Sequence, residues 1–332
     1  MLLSRIQGHI PLCRKPFLKL ATELGVSEEE VINTIRELKE ERLIRQISPI
    51  YDTRAVGYDS SLVAFKVNPK RVEEVAEFVS SHPGVSHNYQ REHEFNLWFT
   101  IAVPPDSILG LDETVSLMAQ LTSVEEFLIL RTVKTYKIGV KLSYKELCEK
   151  EEVNIATPRE VTLSSLDRRV IAHTQLDIPL ISNPFDLIAS AMDIETEALL
   201  GRLSYLKETG VMRRFSAILF HRRAGFKANG MVVWKIPADR VDEVGNLLAS
   251  FKSVSHCYQR TTSERWHFNL FSMVHGRSRE EVLDFVYEVA GKVKPEEFKV
   301  LFSTREFKKK RIKLFSEEFY EWERKHVGAY SH

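Results

Sequence analysis

Two short runs hold the side chains best suited to chemistry. VSHNYQR occupies 85–91 and VSHCYQR occupies 254–260. In a strand, successive side chains point to opposite faces. The first run therefore puts Val85, His87, Tyr89 and Arg91 on one face, and Ser86, Asn88 and Gln90 on the other. A core strand is apolar on at least one face, and this one is polar on both. The second run repeats the row as His256, Tyr258 and Arg260. Imidazole titrates near neutrality and can give or take a proton or coordinate iron. Guanidinium grips a carboxylate through paired hydrogen bonds. A bland alternative is a polar dimer seam with hydrogen-bonded histidines. Recurrence of the whole triplet favours a site.

The next stretch supplies apolar surface. Phe95, Leu97, Phe99 and Ile101 share the face expected to pack on helices, leaving Asn96, Trp98 and Thr100 on the open face. The counterparts on the second open face are Asn269, Phe271 and Met273, with Trp266 nearby. Arg131 and Lys134 join the first sheet, and Arg305 the second. Imidazole, phenol, guanidinium, amide and indole on one face suit a large, flat, aromatic ligand bearing carboxylates.

The elements that carry these residues are themselves duplicated, and internal repetition governs the fold. Ile10-Pro11-Leu12 recurs as Ile178-Pro179-Leu180, Pro16-Phe17 as Pro184-Phe185, LIRQIS (43–48) as VMRRFS (211–216) and Gly57 as Gly225, all 168 residues on. VSHNYQR recurs 169 residues on with six of seven residues identical, and Phe95-Asn96-Leu97 returns as Phe268-Asn269-Leu270. The charged stretch 141–158 reads as the linker between the copies.

Each copy opens helical. Residues 17–24 show a helix pattern, Gly25-Val26 a turn, and Ser27 with Glu30 a capping box for a second helix carrying Val31, Ile35 and Leu38. A short strand pair is expected around 43–51, completing a winged helix-turn-helix. The second copy places its second helix at 193–206. Strands and helices then alternate as βαββαβ, at 62–67, 71–81, 85–91, 95–103, 106–121 and 125–136, and again at 231–236, 240–251, 254–260, 268–275, 278–293 and 298–307. A basic, amphipathic tail helix follows around 316–326. The fold class is α+β: a tandem repeat of winged helix-turn-helix and ferredoxin-like domains, forming a pseudo-dimer within one chain. The divisions are 1–60 and 61–142, a linker at 143–162, then 163–226, 227–310 and the tail 311–332.

Composition narrows the function. The 332 residues are 43% hydrophobic and 28% charged, which excludes a disordered or fibrous chain. No run approaches the ~18 apolar residues of a membrane span. The start MLLSRIQGHIPLCRKPF lacks the pattern of a signal peptide, so the expected location is cytoplasmic. Cys13, Cys148 and Cys257 have no metal-ligand spacing, which argues against zinc, iron–sulfur and disulfide frameworks. The net charge of +1 shows no nucleic-acid surplus. The second helix of the first copy carries Glu28, Glu29, Glu30 and Glu37 against Arg36. That of the second copy carries Asp193, Glu195 and Glu197 against Arg202. Such helices are poorly built to approach phosphates. Arg5, Arg14 and Lys15 would be the residues of a DNA-binding arm.

A winged helix followed by βαββαβ resembles the Lrp/AsnC family, in which two sheets pair and small ligands bind between them. The runs HPGVSHNYQREHEFNLWFT (82–100), VSHCYQRTTSERWHFNLFSMVHGR (254–277) and LFSTREFKKKR (301–311) resemble the two subunit types of siroheme decarboxylases. The segment Thr261–His267 departs from that pattern by lacking a proline. The resemblance implies removal of the acetate carboxylates at positions 12 and 18 of siroheme. The product is 12,18-didecarboxysiroheme, in haem d1 or alternative haem synthesis. The expected proton donors are His87 and His256, then His93 and His267, with Tyr89 and Tyr258 orienting or relaying. Arg91, Arg260, Arg305 and Lys134 would hold the carboxylates that remain. Asn96, Asn269, Trp98 and Trp266 would line the substrate. No added cofactor is required, because the iron enters with siroheme. No specific DNA and no membrane partner is expected. The implied protein partners are a second copy and neighbouring pathway enzymes. The alternatives are an Lrp/AsnC-type regulator sensing haem or another small molecule, and a tetrapyrrole carrier.

Overall fold

The computed structural model describes residues 1–138, 150, 161–219 and 228–330. The expected linker and Gly225 lie almost wholly outside them. The first copy contains α1 (Leu2–Gly8), α2 (Pro16–Leu24), α3 (Glu28–Glu40), β1 (Ile44–Tyr51), β2 (Asp59–Lys66), α4 (Val72–Ser81), β3 (Val85–Arg91), β4 (Leu97–Val103), α5 (Gly110–Leu121) and β5 (Glu126–Ile138). The second contains α6 (Ser165–Thr174), α7 (Pro184–Ala191), α8 (Thr196–Glu208), β6 (Met212–Leu219), β7 (Ala228–Lys235), α9 (Val241–Ser250), β8 (Val254–Arg260), β9 (Leu270–Gly276), α10 (Arg279–Val293) and β10 (Glu297–Lys309), followed by α11 (Glu317–Tyr330).

Two compact units result. One draws on Met1–Tyr58, Thr157–Arg222 and Lys313–Tyr320. Ser27 and Glu30 form the capping box that starts α3. In the second copy Asp193 takes the left-handed turn, φ 54°, so α8 begins at Thr196 rather than at 193. The strand pair expected around 43–51 is a single strand in each copy. β1 pairs antiparallel with β6, so the ladder joins the two copies. The recurring Ile-Pro-Leu segments have a matching role. Ile10 N–H donates to Phe215 O, and Ile178 N–H donates to Ile47 O, each at 2.8 Å. Each copy thus anchors its entry segment on the other copy's strand.

The other unit draws on Asp59–Ala156, Arg223–Ile312 and Glu321–His332. Its strands close in the order β10-β3-β4-β2-β5-β8-β9-β7. Closure depends on the two 13-residue strands. The first part of β5 pairs with β2, and the rest crosses to β8. The first part of β10 pairs with β7, and the rest crosses to β3. The helices cover the outside, as the cluster of Trp234, Val244, Leu248, Val254, Leu270, Phe285 and Val289 shows in the second copy. The faces read as open in the sequence meet across the inside. There Trp98, Leu128, Leu130, Val233, Trp266, Phe268, Phe271 and Leu301 form a second core. Phe95 belongs to this inner core rather than to the helix side, because it precedes β4 and is not bound by its alternation.

The tail helix is not basic: Glu317, Glu318, Glu321 and Glu323 outnumber Arg324 and Lys325. Its Trp322 lies edge-on to His82 at 4.2 Å. Its buried Glu323 carboxylate accepts from Ser107 Oγ at 2.5 Å and from the Leu109 N–H at 3.3 Å. That places a negative charge at the N-terminus of α5.

Candidate active site

Register decides which way the two rows face, because directly paired residues share a side. Tyr89 pairs with Trp98 and His87 with Thr100. Tyr258 pairs with Phe271 and His256 with Met273. Both His-Tyr rows therefore face the interior of the closed sheet. A β-bulge between Val85 and His87, repeated between Val254 and His256, breaks the alternation. Val85 consequently lies on the helix side with Asn88, not on the face of His87. Asn88 is fully buried, and its Nδ2 donates to Ala76 O at 3.0 Å and Ser80 Oγ at 3.1 Å. Cys257 takes the same place in the second copy, its thiol 3.6 Å from Gly245 O. A covering helix thus takes up the amide hydrogens of Asn88, while its buried Oδ1 has no hydrogen-bond partner.

The histidines are neutral groups in a positive setting. His87 Nδ1 lies 2.9 Å from Ser86 Oγ, and His256 Nδ1 lies 2.8 Å from Ser255 Oγ. Burial, then Lys309, lowers the pKa of His87. Burial lowers His256 to about 4, with further contributions from His87, Arg260, Lys137 and Lys309. The two imidazoles thus share one electrostatic environment. The ring pairs His87–Tyr89 and His256–Tyr258 are stacked at 6.2 and 6.1 Å.

Arg91 and Arg260 close each row. Arg91 Nη1 donates to Leu301 O at 2.7 Å, and Arg260 Nη1 donates to Leu130 O at 2.9 Å. Each guanidinium thereby ties its strand to the strand that crosses from the other sheet. Each also has a buried Nε with no hydrogen-bond partner. Burial lowers both to about 10, so both stay cationic at neutral pH. A buried cation with an unsatisfied donor is a ready receptor for an anion.

The other sequence candidates fall elsewhere. Lys134 pairs with Asp242 and Arg305 with Glu73, each at 2.6 Å, at the first turns of α9 and α4. Arg131 is held by Asp59 and Asp112. These three cations reach the helix side. Asn96 and Asn269 are committed to the backbone. Their amides accept from and donate to Val67 and Ile236, respectively, at 2.7–3.0 Å. Trp98 and Trp266 pack on each other at 5.3 Å in the inner core, both essentially buried. His93 Nδ1 accepts from the Phe95 N–H, and its ring meets Trp266 at 5.6 Å. His267 lies at the surface, its Nε2 2.9 Å from Glu297 Oε2. The structure therefore gathers His87, Tyr89, Arg91, His256, Tyr258 and Arg260, and gives the remaining candidates packing or pairing roles.

One group escaped the sequence reading. His275, two places beyond Met273 on β9, faces the same interior. Its Nε2 lies 2.6 Å from Ser255 Oγ and its Nδ1 2.6 Å from Asn229 Oδ1. The alternation Phe271, Met273, His275 was the available signal. Among the described residues, no three His, Cys, Asp or Glu side chains gather as a metal site. No described helix is long and apolar enough to cross a membrane.

Comparison with known proteins identifies the family. The family model described as a siroheme decarboxylase NirDL-like HTH domain matches 1–45 and 167–213, and the AsnC-like ligand binding domain matches 55–137 and 223–308. A siroheme decarboxylase of Hydrogenobacter thermophilus is 49% identical over 328 residues, covering 99% of this chain and 98% of that protein. A siroheme decarboxylase NirDL subunit of Paracoccus denitrificans is 31% identical over 313 residues, covering 93% and 94%. The crystal structure of the siroheme decarboxylase NirDL in co-complex with an iron-uroporphyrin III analogue matches with TM-score 0.82 and 43% identity, covering 99% of this chain and 98% of that one. On sequence along its whole length, and on fold, this chain belongs to the siroheme decarboxylase family.

Proposed function

We propose that this chain is a carboxy-lyase that converts siroheme to 12,18-didecarboxysiroheme. The observation that carries the reading is the paired His-Tyr-Arg row. Two imidazoles, two phenols and two buried guanidiniums face inward beside an indole core. A tetrapyrrole offers what these groups bind: a broad apolar ring and a rim of carboxylates.

The reaction follows from those groups. The bond between an acetate methylene and its carboxyl carbon breaks, and carbon dioxide leaves. The electron pair stays on the methylene, delocalised into the macrocycle. A proton then converts the methylene to a methyl group. No added organic cofactor is needed, and the iron enters with the substrate. Arg91 and Arg260 hold carboxylates that are retained, since a cation on the departing one would oppose its loss. A buried imidazole passes its N–H proton to the methylene and regains one from solvent, and Tyr89 and Tyr258 orient it. Lys134 and Arg305, engaged by Asp242 and Glu73, have at most a part that requires those pairs to open. We assign the work to the cytoplasm, in haem d1 or alternative haem synthesis, with a second copy and pathway enzymes as partners.

The test is anaerobic incubation with siroheme, followed by mass spectrometry. Loss of two carboxyl groups supports the reading. Siroheme returned unchanged, with an unperturbed Soret band on titration, overturns it.

A further inference from the structure

The two copies repeat the His-Tyr-Arg row but not what stands behind it. In the second copy a continuous hydrogen-bonded chain runs Asn229–His275–Ser255–His256, with links of 2.6, 2.6 and 2.8 Å. In the first copy Ser86 meets His87, but the chain stops there. Asn229 pairs with His275 in the β7–β9 ladder, and the corresponding β2–β4 pair is Ser60 with Ala102. No imidazole stands where His275 does.

Hydrogen-bond polarity runs one way along that chain. The Asn229 carbonyl oxygen only accepts, so His275 carries its proton on Nδ1. A neutral His275 then has its lone pair on Nε2 and accepts the Ser255 hydroxyl proton. With that proton committed, Ser255 Oγ accepts from His256, whose proton must sit on Nδ1. The remaining nitrogen of His256, Nε2, carries a lone pair. Burial holds His256 and His275 at about 4, so both rings are neutral at physiological pH and the polarity argument applies. Ser86 has no second imidazole to receive its proton, so its hydroxyl can turn either way and His87 keeps both tautomers open.

We propose that His275, acting through Ser255, is a positioning residue that fixes the tautomer of His256 and makes the two copies chemically unequal. His256 presents an Nε2 lone pair to the interior as an acceptor toward the bound tetrapyrrole. His87, without that relay, can hold its proton on Nε2 and is the donor to the methylene carbanion. This division of labour rests on the decarboxylation reading; the tautomer assignment does not.

The experiment is therefore done on the full chain without siroheme. Protein labelled with ¹⁵N-histidine is studied by two-bond proton–nitrogen correlation spectra, with His256 and His87 signals assigned from H256Q and H87Q. The expected result is a single Nδ1–H tautomer for His256, and mixed tautomers for His87. His275→Ala should convert His256 to a mixture. His275→Gln, whose Oε1 can still accept from Ser255, should preserve the Nδ1–H form. Ser255→Ala serves the same purpose should the alanine variant at 275 fail to fold. An Nε2–H tautomer in the parent protein would overturn the proposal. So would a His256 tautomer unchanged in both His275→Ala and Ser255→Ala. Either result can coexist with full decarboxylation, so failure here is distinguishable from failure of the functional reading.

Discussion

A proton delivered to carbon and a carboxylate held in place make different demands on side chains, and substitutions should separate them. A positioned general acid contributes ~10²–10⁴-fold in rate. His87→Gln should therefore lower turnover of siroheme by about that factor while leaving the Soret titration midpoint nearly unchanged. A proportional loss of affinity would move His87 from donor to binder. Arg260→Ala should act the other way. Losing a charge-assisted contact costs roughly 1.5–3 kcal/mol, about a tenfold to hundredfold weakening of binding. It also removes the bond to Leu130 O, so a lower melting temperature should accompany the weaker titration. At this scale the duplicated triplet was legible because chemistry written twice stands out from a polar seam. His275 was not, for the same reason. Its counterpart is Ala102, so a search for repetition passes over it. The sequence also grouped Lys134 and Arg305 with the row, and only the packed helices show Asp242 and Glu73 claiming them.

Elements read well where a local rule operates and poorly where the partner is distant. Ser27 and Glu30 announce α3 through four adjacent residues. The bulges in β3 and β8 have no such local mark, and they turn a simple alternation into the wrong grouping of Val85 with His87. β1 pairs with a strand far along the chain, a partner that no local pattern announces. Two element-scale tests follow. Glu323→Ala leaves Ser107 Oγ and the Ile108 and Leu109 amides, just ahead of α5, without their buried acceptor, which should cost about 1–3 kcal/mol and lower the melting temperature by several degrees. A melting temperature within 1 °C or so of the parent would show that water replaces the carboxylate fully. The second helices make the other test. Of the basic side chains of α3, Arg36 donates to Leu180 O and Lys39 pairs with Asp177; of those of α8, Arg202 is bound by Asp167 and Lys207 is exposed. With their remaining charges largely acidic, these helices should not retain duplex DNA at physiological salt. A salt-resistant, sequence-specific mobility shift would restore the regulator reading.

The whole molecule converts two incomplete sheets into one closed one, and burial of histidine inside that closure gives it a pH signature. His82 is wholly buried, against Trp322, and burial pushes it down to about 3. His256 and His275 lie at about 4. In the unfolded chain all three titrate near 6.5. Between 6.5 and about 4, the unfolded chain binds protons that the folded one excludes, so stability must fall as pH falls through that window. A tenfold difference in proton affinity between the two states is worth about 1.4 kcal/mol, so even one such histidine can remove about 3 kcal/mol by pH 4, out of a typical ~5–15 kcal/mol. The carboxylates Asp52 and Asp167, both lowered from 3.8, contribute mainly below that value, and glutamates lowered from 4.5, such as Glu126 and Glu297, add to the decline only at its acid end. The probe is built in. Trp98, Trp234, Trp266 and Trp322 are the four tryptophans of the chain, and all lie with these histidines in the unit that forms the closed sheet. Thermal melts followed by tryptophan fluorescence should therefore show a melting temperature that declines steadily from pH 6.5 to 4.5. His82→Asn, whose Oδ1 can accept the Gly84 N–H now taken by Nδ1, removes one excluded proton and should flatten that decline. A decline of equal slope in the variant would mean that His82 is protonated in the folded protein and that its burial beneath Trp322 does not survive in solution.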